Sequence, residues 1–176
     1  MIPRAPRWFG SLASRVGILT LATLVTFGGT ASAATEAPHP AHIHKGTCSK
    51  LGDIVFPLSD VQAPSATKKG TSATPAATAE MMGAKSAIPV EVSITTVKAD
   101  LKTIVDGGHA INVHESKDKI DKYIACGDIG GMVMGGKDLA IGLGELNKSG
   151  YSGVAWLHDN GDKTTTVYVF LLHSSK

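Results

Sequence analysis

Residues 153–158 and 164–172 are two β-rich runs on either side of Asp159-Asn160-Gly161-Asp162, and this pairing constrains the fold more tightly than any other feature of the chain. Asn-Gly accepts the positive φ angles of a tight hairpin turn, whose twist suits the strands it joins. Shorter signals of the same kind precede it. Val90-Glu91-Val92-Ser93-Ile94 alternates cleanly, which predicts a half-buried strand. Ile54 to Leu58 reads as another, with Pro57 placing it at an edge or at a strand end. Ala110 to His114, Tyr123 to Ile129 and Leu139 to Leu143 add three more. Val97, Leu101, Ile104 and Val105 fall at helical spacing before Gly107-Gly108, which predicts one short helix. The charged stretch Glu115 to Lys122 reads as a solvated loop, and the glycines of residues 130–136 as a turn. Seven or eight short strands with so little helix predict an all-β fold, an antiparallel Greek-key β-sandwich or barrel.

The first 33 residues read as a targeting segment. Arg4, Arg7 and Arg15 supply a positive region, Val16 to Phe27 an apolar run, and Ala31-Ser32-Ala33 a small-residue cleavage site. The expected product is a single domain, residues 34–176, that is secreted, periplasmic or held at the cell surface, with no membrane span after cleavage; an uncleaved N-terminal anchor is the alternative. Of the 17 basic residues three are the arginines just named, so 14 Lys remain against 15 acidic residues, a formal charge of −1. That balance argues against a nucleic-acid partner. Residues 62–89 turn to Ala, Thr, Ser, Lys, Gly and Pro with Met81 and Met82 as the large apolar exceptions, the composition of a long mobile loop. Outside the cytosol, the two cysteines, Cys48 and Cys126, are most simply a disulfide.

Histidine placement carries the chemistry. His42-Ile43-His44 on an extended segment sets both imidazoles on one face, and His114 from another strand can complete a set of three nitrogens sized for one copper ion. The competing role is that of sheet residues bonded to backbone. His109, beside Gly107-Gly108, and His39, in a Pro-His-Pro lead, are further candidates for a fourth nitrogen, each against a role as a loop residue. His158 and His173 read as exposed and idle. Met132 and Met134 on the Gly-rich turn offer thioethers suited to Cu(I), or fill space. The glycines 130, 131, 135 and 136 lack the following helix of a phosphate-binding loop.

At His42-Ile43-His44, Val113-His114-Glu115 and Ala125-Cys126-Gly127-Asp128-Ile129-Gly130 the chain resembles the copper/zinc superoxide dismutases. The resemblance covers mainly residues 39–58 and 109–131. It implies copper ligands at His42, His44 and His114 and a Cys48–Cys126 bridge. No His lies between Cys48 and Gly108, where that family has its bridging ligand and its other zinc ligands, so no zinc site of that type is expected. Residues 34–176 also lack Arg, leaving Lys to attract an anionic substrate. Only about eight residues precede the His-x-His segment after cleavage, so the resemblance further implies a permuted order in which the C-terminal hairpin takes the place of the missing opening strands. The chordin-type (CHRD) domain is similar around His-Ile-His and Ile-Asn-Val-His. The expected function is copper binding, with superoxide or a copper donor as partner; the alternatives are a non-catalytic CHRD-like extracellular module and a copper storage or delivery protein.

Overall fold

The computed structural model describes residues 37–64, 83–84 and 86–174. The predicted signal segment, Met81-Met82 and most of the 62–89 loop lie outside these residues. Residues 34–176 form one compact unit. Among the described residues eight strands follow in order: β1 (Ala41–Thr47), β2 (Lys50–Pro57), β3 (Glu91–Val97), β4 (His109–Ser116), β5 (Lys119–Asp128), β6 (Asp138–Glu145), β7 (Tyr151–Asp159) and β8 (Thr165–His173), with one helix, α1 (Leu101–Asp106), between β3 and β4. All pairings are antiparallel, in the order β2-β1-β4-β5-β6-β7-β8-β3. This is the expected all-β sandwich or barrel architecture.

The sheet has two four-stranded halves. Among the described residues the β5–β6 ladder between them is short, with Ala125 paired to Glu145 and Cys126 to Gly144. After β2 the chain crosses over, since Val61 bridges to His39 and Gln62 to Val92, which stitches the far side as well. Alternation explains which face each half buries. Ile43, Ile111, Val113 and Ile124 of the first half and Leu139, Leu157, Val167 and Val169 of the second join one core. Leu101 and Ile104 of α1 extend it. Pro57 ends β2, an edge strand, where its missing N–H costs no ladder bond.

Two expectations are refined. Val97 closes strand β3, and the helix starts later, at Leu101, because Asp100 caps it by accepting a hydrogen bond from the Thr103 N–H at 2.7 Å. The charged Glu115 to Lys122 stretch is no loop but the tip of the β4–β5 hairpin, where Ser116 pairs with Lys119. Its residues are largely exposed on both faces, so no alternation marks them as strand. The C-terminal hairpin is β7–β8, and it continues the same strand order beyond β6 without pairing to β1 directly.

At the junction between the halves Gly127 has no room for a side chain. A Cβ there would lie 2.3 Å from the Gly142 carbonyl oxygen and 2.8 Å from Leu143 Cδ2. Gly127→Ala is expected to destabilise the protein by about 1–3 kcal/mol through overpacking, read as a lowered denaturation midpoint with an unchanged slope. An unaltered midpoint would show that β5 and β6 do not approach this closely.

Candidate metal centre

The outward face of β1 carries His42 and His44, while Ala41 and Ile43 point into the core. On neighbouring β4 the outward residues are Ala110, Asn112 and His114, with Ile111 and Val113 inward. Register then sets the site. His42 faces Asn112 and His44 faces Ala110, and the His114 N–H donates to the Pro40 carbonyl at 2.9 Å, which places His114 diagonal to His42. The small side chain of Ala110 leaves space opposite His44. Among the described residues His42, His44 and His114 form a group able to hold a metal ion, their ligand atoms all within 4.8 Å of one another.

The hydrogen bonds select which nitrogens converge. His114 Nδ1 donates to the Ile120 carbonyl, so its Nε2 carries the lone pair. That Nε2 accepts from His42 Nδ1 at 3.0 Å and from the Asn112 amide at 3.3 Å. His44 Nδ1 donates to the Gly52 carbonyl at 2.9 Å. Its Nε2 is buried and has no hydrogen-bond partner. Ligating histidines typically donate the second ring N–H to a carbonyl or carboxylate, which fixes tautomer and orientation, and His44 and His114 are held in this way. His42 joins through Nδ1 once that proton moves to Nε2 or to solvent. Metal–imidazole bonds of ~2.0 Å space ligand nitrogens roughly 3–4 Å apart, so the rings need only a small inward movement. The orphaned His44 nitrogen and the three-nitrogen donor set fit a borderline-soft divalent ion such as copper or zinc.

His44 and His114 are buried, at 6% and 4% exposure, whereas His42 is half-buried. Access from solvent is therefore at the His42 side. Burial is the main cause that lowers the pKa of both His42 and His114 below the ordinary histidine value, and the neighbouring imidazoles push in the same direction. Asp60 opposes this at His42; at His114 the Ile120 hydrogen bond and Asp121 oppose it. The rings thus keep their lone pairs at a pH where free imidazole is half protonated.

In the metal-free protein this carries a sign for stability. The unfolded chain takes up protons at these positions near pH 6.5 and the folded chain only lower, so protonation favours unfolding. Stability from this source is complete above about pH 6.5 and falls as pH drops toward the depressed folded values. Denaturant midpoints at pH 7.5 and 5.5 should show the loss, and His42→Gln with His114→Gln should shrink it. An equal loss in the double variant would place the titrating groups elsewhere.

Cys48 and Cys126 form the disulfide, with Cα atoms 5.8 Å apart across 78 residues of chain. It ties the turn after β1 to β5, and Cys126 faces Asn112 across the β4–β5 ladder. The Cys48 N–H also donates to Asp128 Oδ1 at 2.6 Å. The bridge thereby clamps the two strands that flank β4.

The remaining histidines stand apart from the group. His109 Nδ1 bonds the Ile104 carbonyl at 2.8 Å, at the foot of α1. His39 is 2% exposed, with Nδ1 donating to the Glu115 carbonyl at 2.6 Å and Nε2 3.4 Å from Glu91. His158, expected to be idle, bonds Asp138 at 2.7 Å. His173 is exposed and stacks on Tyr151. Two site residues escaped the sequence reading. Asn112 is fully buried against His114, and Tyr123 meets the His114 ring edge-on at 5.1 Å. Alternation in Ile111-Asn112-Val113-His114 already placed Asn112 on the His114 face, and that was the available signal. No family model, curated protein or solved structure significantly matches this chain.

Proposed function

We propose that this chain is an exported, superoxide-dismutase-like protein in which His42, His44 and His114 bind one copper ion. The observation that carries the reading is the convergence of three imidazole nitrogens, two of them on rings whose other nitrogen is anchored to a backbone carbonyl. A nitrogen-rich set suits Cu(II), and three ligands leave an open position for water or a small oxidant. Bound copper would supply one-electron exchange with superoxide. The protein's share is to hold the ligands, to shield His44 and His114 from water, and to leave entry at His42. The strand order supports the permuted relationship, since β6, β7 and β8 follow the cysteine-bearing β5 in the sheet.

Turnover is expected to be modest. Lys117 beside Asp60 forms an ion pair of 3.2 Å, so its charge is largely neutralised near the entry, and residues 34–176 hold no arginine to focus an anion. The test compares superoxide removal by the copper-loaded protein, by its His44→Ala variant and by the same amount of free copper. Activity above free copper that disappears in the variant supports the enzymatic reading. Tight binding without turnover favours storage or delivery, a reading helped by Met132 and Met134, which are 84% and 43% exposed and available to Cu(I). Absence of specific binding returns the chain to the non-catalytic, CHRD-like alternative.

A further inference from the structure

Asn112 brings an unpaired polar atom to the histidine group. On the outward face of the sheet it stands opposite His42 of β1 and opposite Cys126 of β5, with His114 two residues along its own strand. It is fully buried. Its amide donates to His114 Nε2 at 3.3 Å, while its Oδ1, also buried, has no hydrogen-bond partner. A buried amide with one end unpaired costs stability, and an apolar residue of the same shape would avoid that cost. The metal-free chain thus satisfies this side chain at one end only.

Even that one bond is incompatible with a ligated His114. Nδ1 of this ring is anchored to the Ile120 carbonyl, so Nε2 is the nitrogen free to ligate, and it has a single lone pair in the ring plane. Once Nε2 ligates an ion, neither His42 Nδ1 nor the Asn112 amide keeps an acceptor there, and the amide would present its N–H hydrogens to a cation. Rotation about χ2 removes the conflict. That torsion is broad and roughly two-fold in Asn, and a half-turn exchanges Oδ1 and Nδ2 without changing the outline of the side chain. The carbonyl oxygen that is orphaned in the metal-free chain then faces the ion. Of the two side chains bonded to His114 Nε2, His42 is already a ligand, and Asn112 is the one that offers oxygen.

Building on the copper reading above, we infer that Asn112 is a fourth, weak ligand through its amide oxygen and that it favours Cu(II) over Cu(I). An amide oxygen is a harder donor than imidazole or thioether, and in copper electron-transfer sites a weak axial oxygen of this kind tunes the potential. The three imidazoles set the affinity, and the amide oxygen sets the balance between the two redox states. No carboxylate belongs to the ligand group among the described residues, so Asn112 is its nearest oxygen donor along the strand.

The test measures Cu(II) and Cu(I) affinities of the disulfide-bonded protein separately, each against a competing chelator, together with the reduction potential. Asn112→Leu keeps the branched outline of the side chain and removes the oxygen, whereas Asn112→Asp keeps an oxygen and adds charge. In Asn112→Leu, Cu(II) should bind about tenfold more weakly and Cu(I) as before, which raises the potential by about 59 mV for a one-electron couple, with the three-nitrogen hyperfine pattern of Cu(II) retained. Asn112→Asp should bind Cu(II) at least as tightly as wild type and lower the potential. Equal weakening of both redox states in Asn112→Leu would make Asn112 a structural neighbour and overturn the inference; so would affinities and a potential identical to wild type. Should Asn112→Leu fail to fold, Asn112→Asp decides alone, since a potential unchanged or raised in that variant overturns the inference as well. Each of these results leaves a wild type that binds one copper through three nitrogens, so the metal-centre reading survives them, whereas a wild type that holds no copper ends both.

Discussion

His114→Ala is expected to weaken copper binding by more than 100-fold, beyond the 10–100-fold typical of residues that merely orient a ligand. The reason lies in the register. His114 comes from β4 and the other two rings from β1, so its Nε2 is the only ligand that spans the two strands. Removing it leaves His42 and His44 as a two-nitrogen site on one strand, comparable to a short histidine peptide. Isothermal titration against a competing chelator measures the change. Asn112→Ala, by contrast, should cost within the orienting range, because it removes one donor to Nε2 and leaves all three rings in place. Equal affinities for wild type and His114→Ala would exclude a centre spanning both strands.

The second large effect belongs to the disulfide. Replacing Cys48 and Cys126 by Ala should lower stability by about 4–5 kcal/mol in the chain-entropy description of a 78-residue loop. That is a large share of the 5–15 kcal/mol available to a typical domain. The bridge also clamps β1 and β5 on either side of β4, so copper affinity should fall in the reduced protein although no ligand has changed. Denaturant unfolding of oxidised and reduced protein gives the stability term. A midpoint independent of reductant would mean that the sandwich holds its register without the bridge.

Much of this was legible in the chain because its elements obey simple periods. Val90 to Ile94 alternates and is a strand; Asp159-Asn160-Gly161-Asp162 breaks two β-rich runs and is their turn; His42 and His44, two apart, share a face. Legibility ended where tertiary packing decided. Val97 fits both the strand and the helix pattern, and only the Asp100 cap settles where the helix begins. The hairpin tip from Glu115 to Lys122 is wet on both faces and so lacks any period. His114 was legible as the third ligand, whereas the separation of His39 and His109 from the group depended on strand order and local packing, which no local signal contains. Asn112 shows the converse, since its face was readable but its contact with His114 required the register.

Electron paramagnetic resonance of the Cu(II)-titrated protein decides whether three imidazoles from two strands bind one metal ion. Saturation is expected at one copper per chain, with hyperfine structure from three equivalent or near-equivalent nitrogens that is lost in His44→Ala. A spectrum of weakly held copper at variable stoichiometry, unaffected by that substitution, would contradict it.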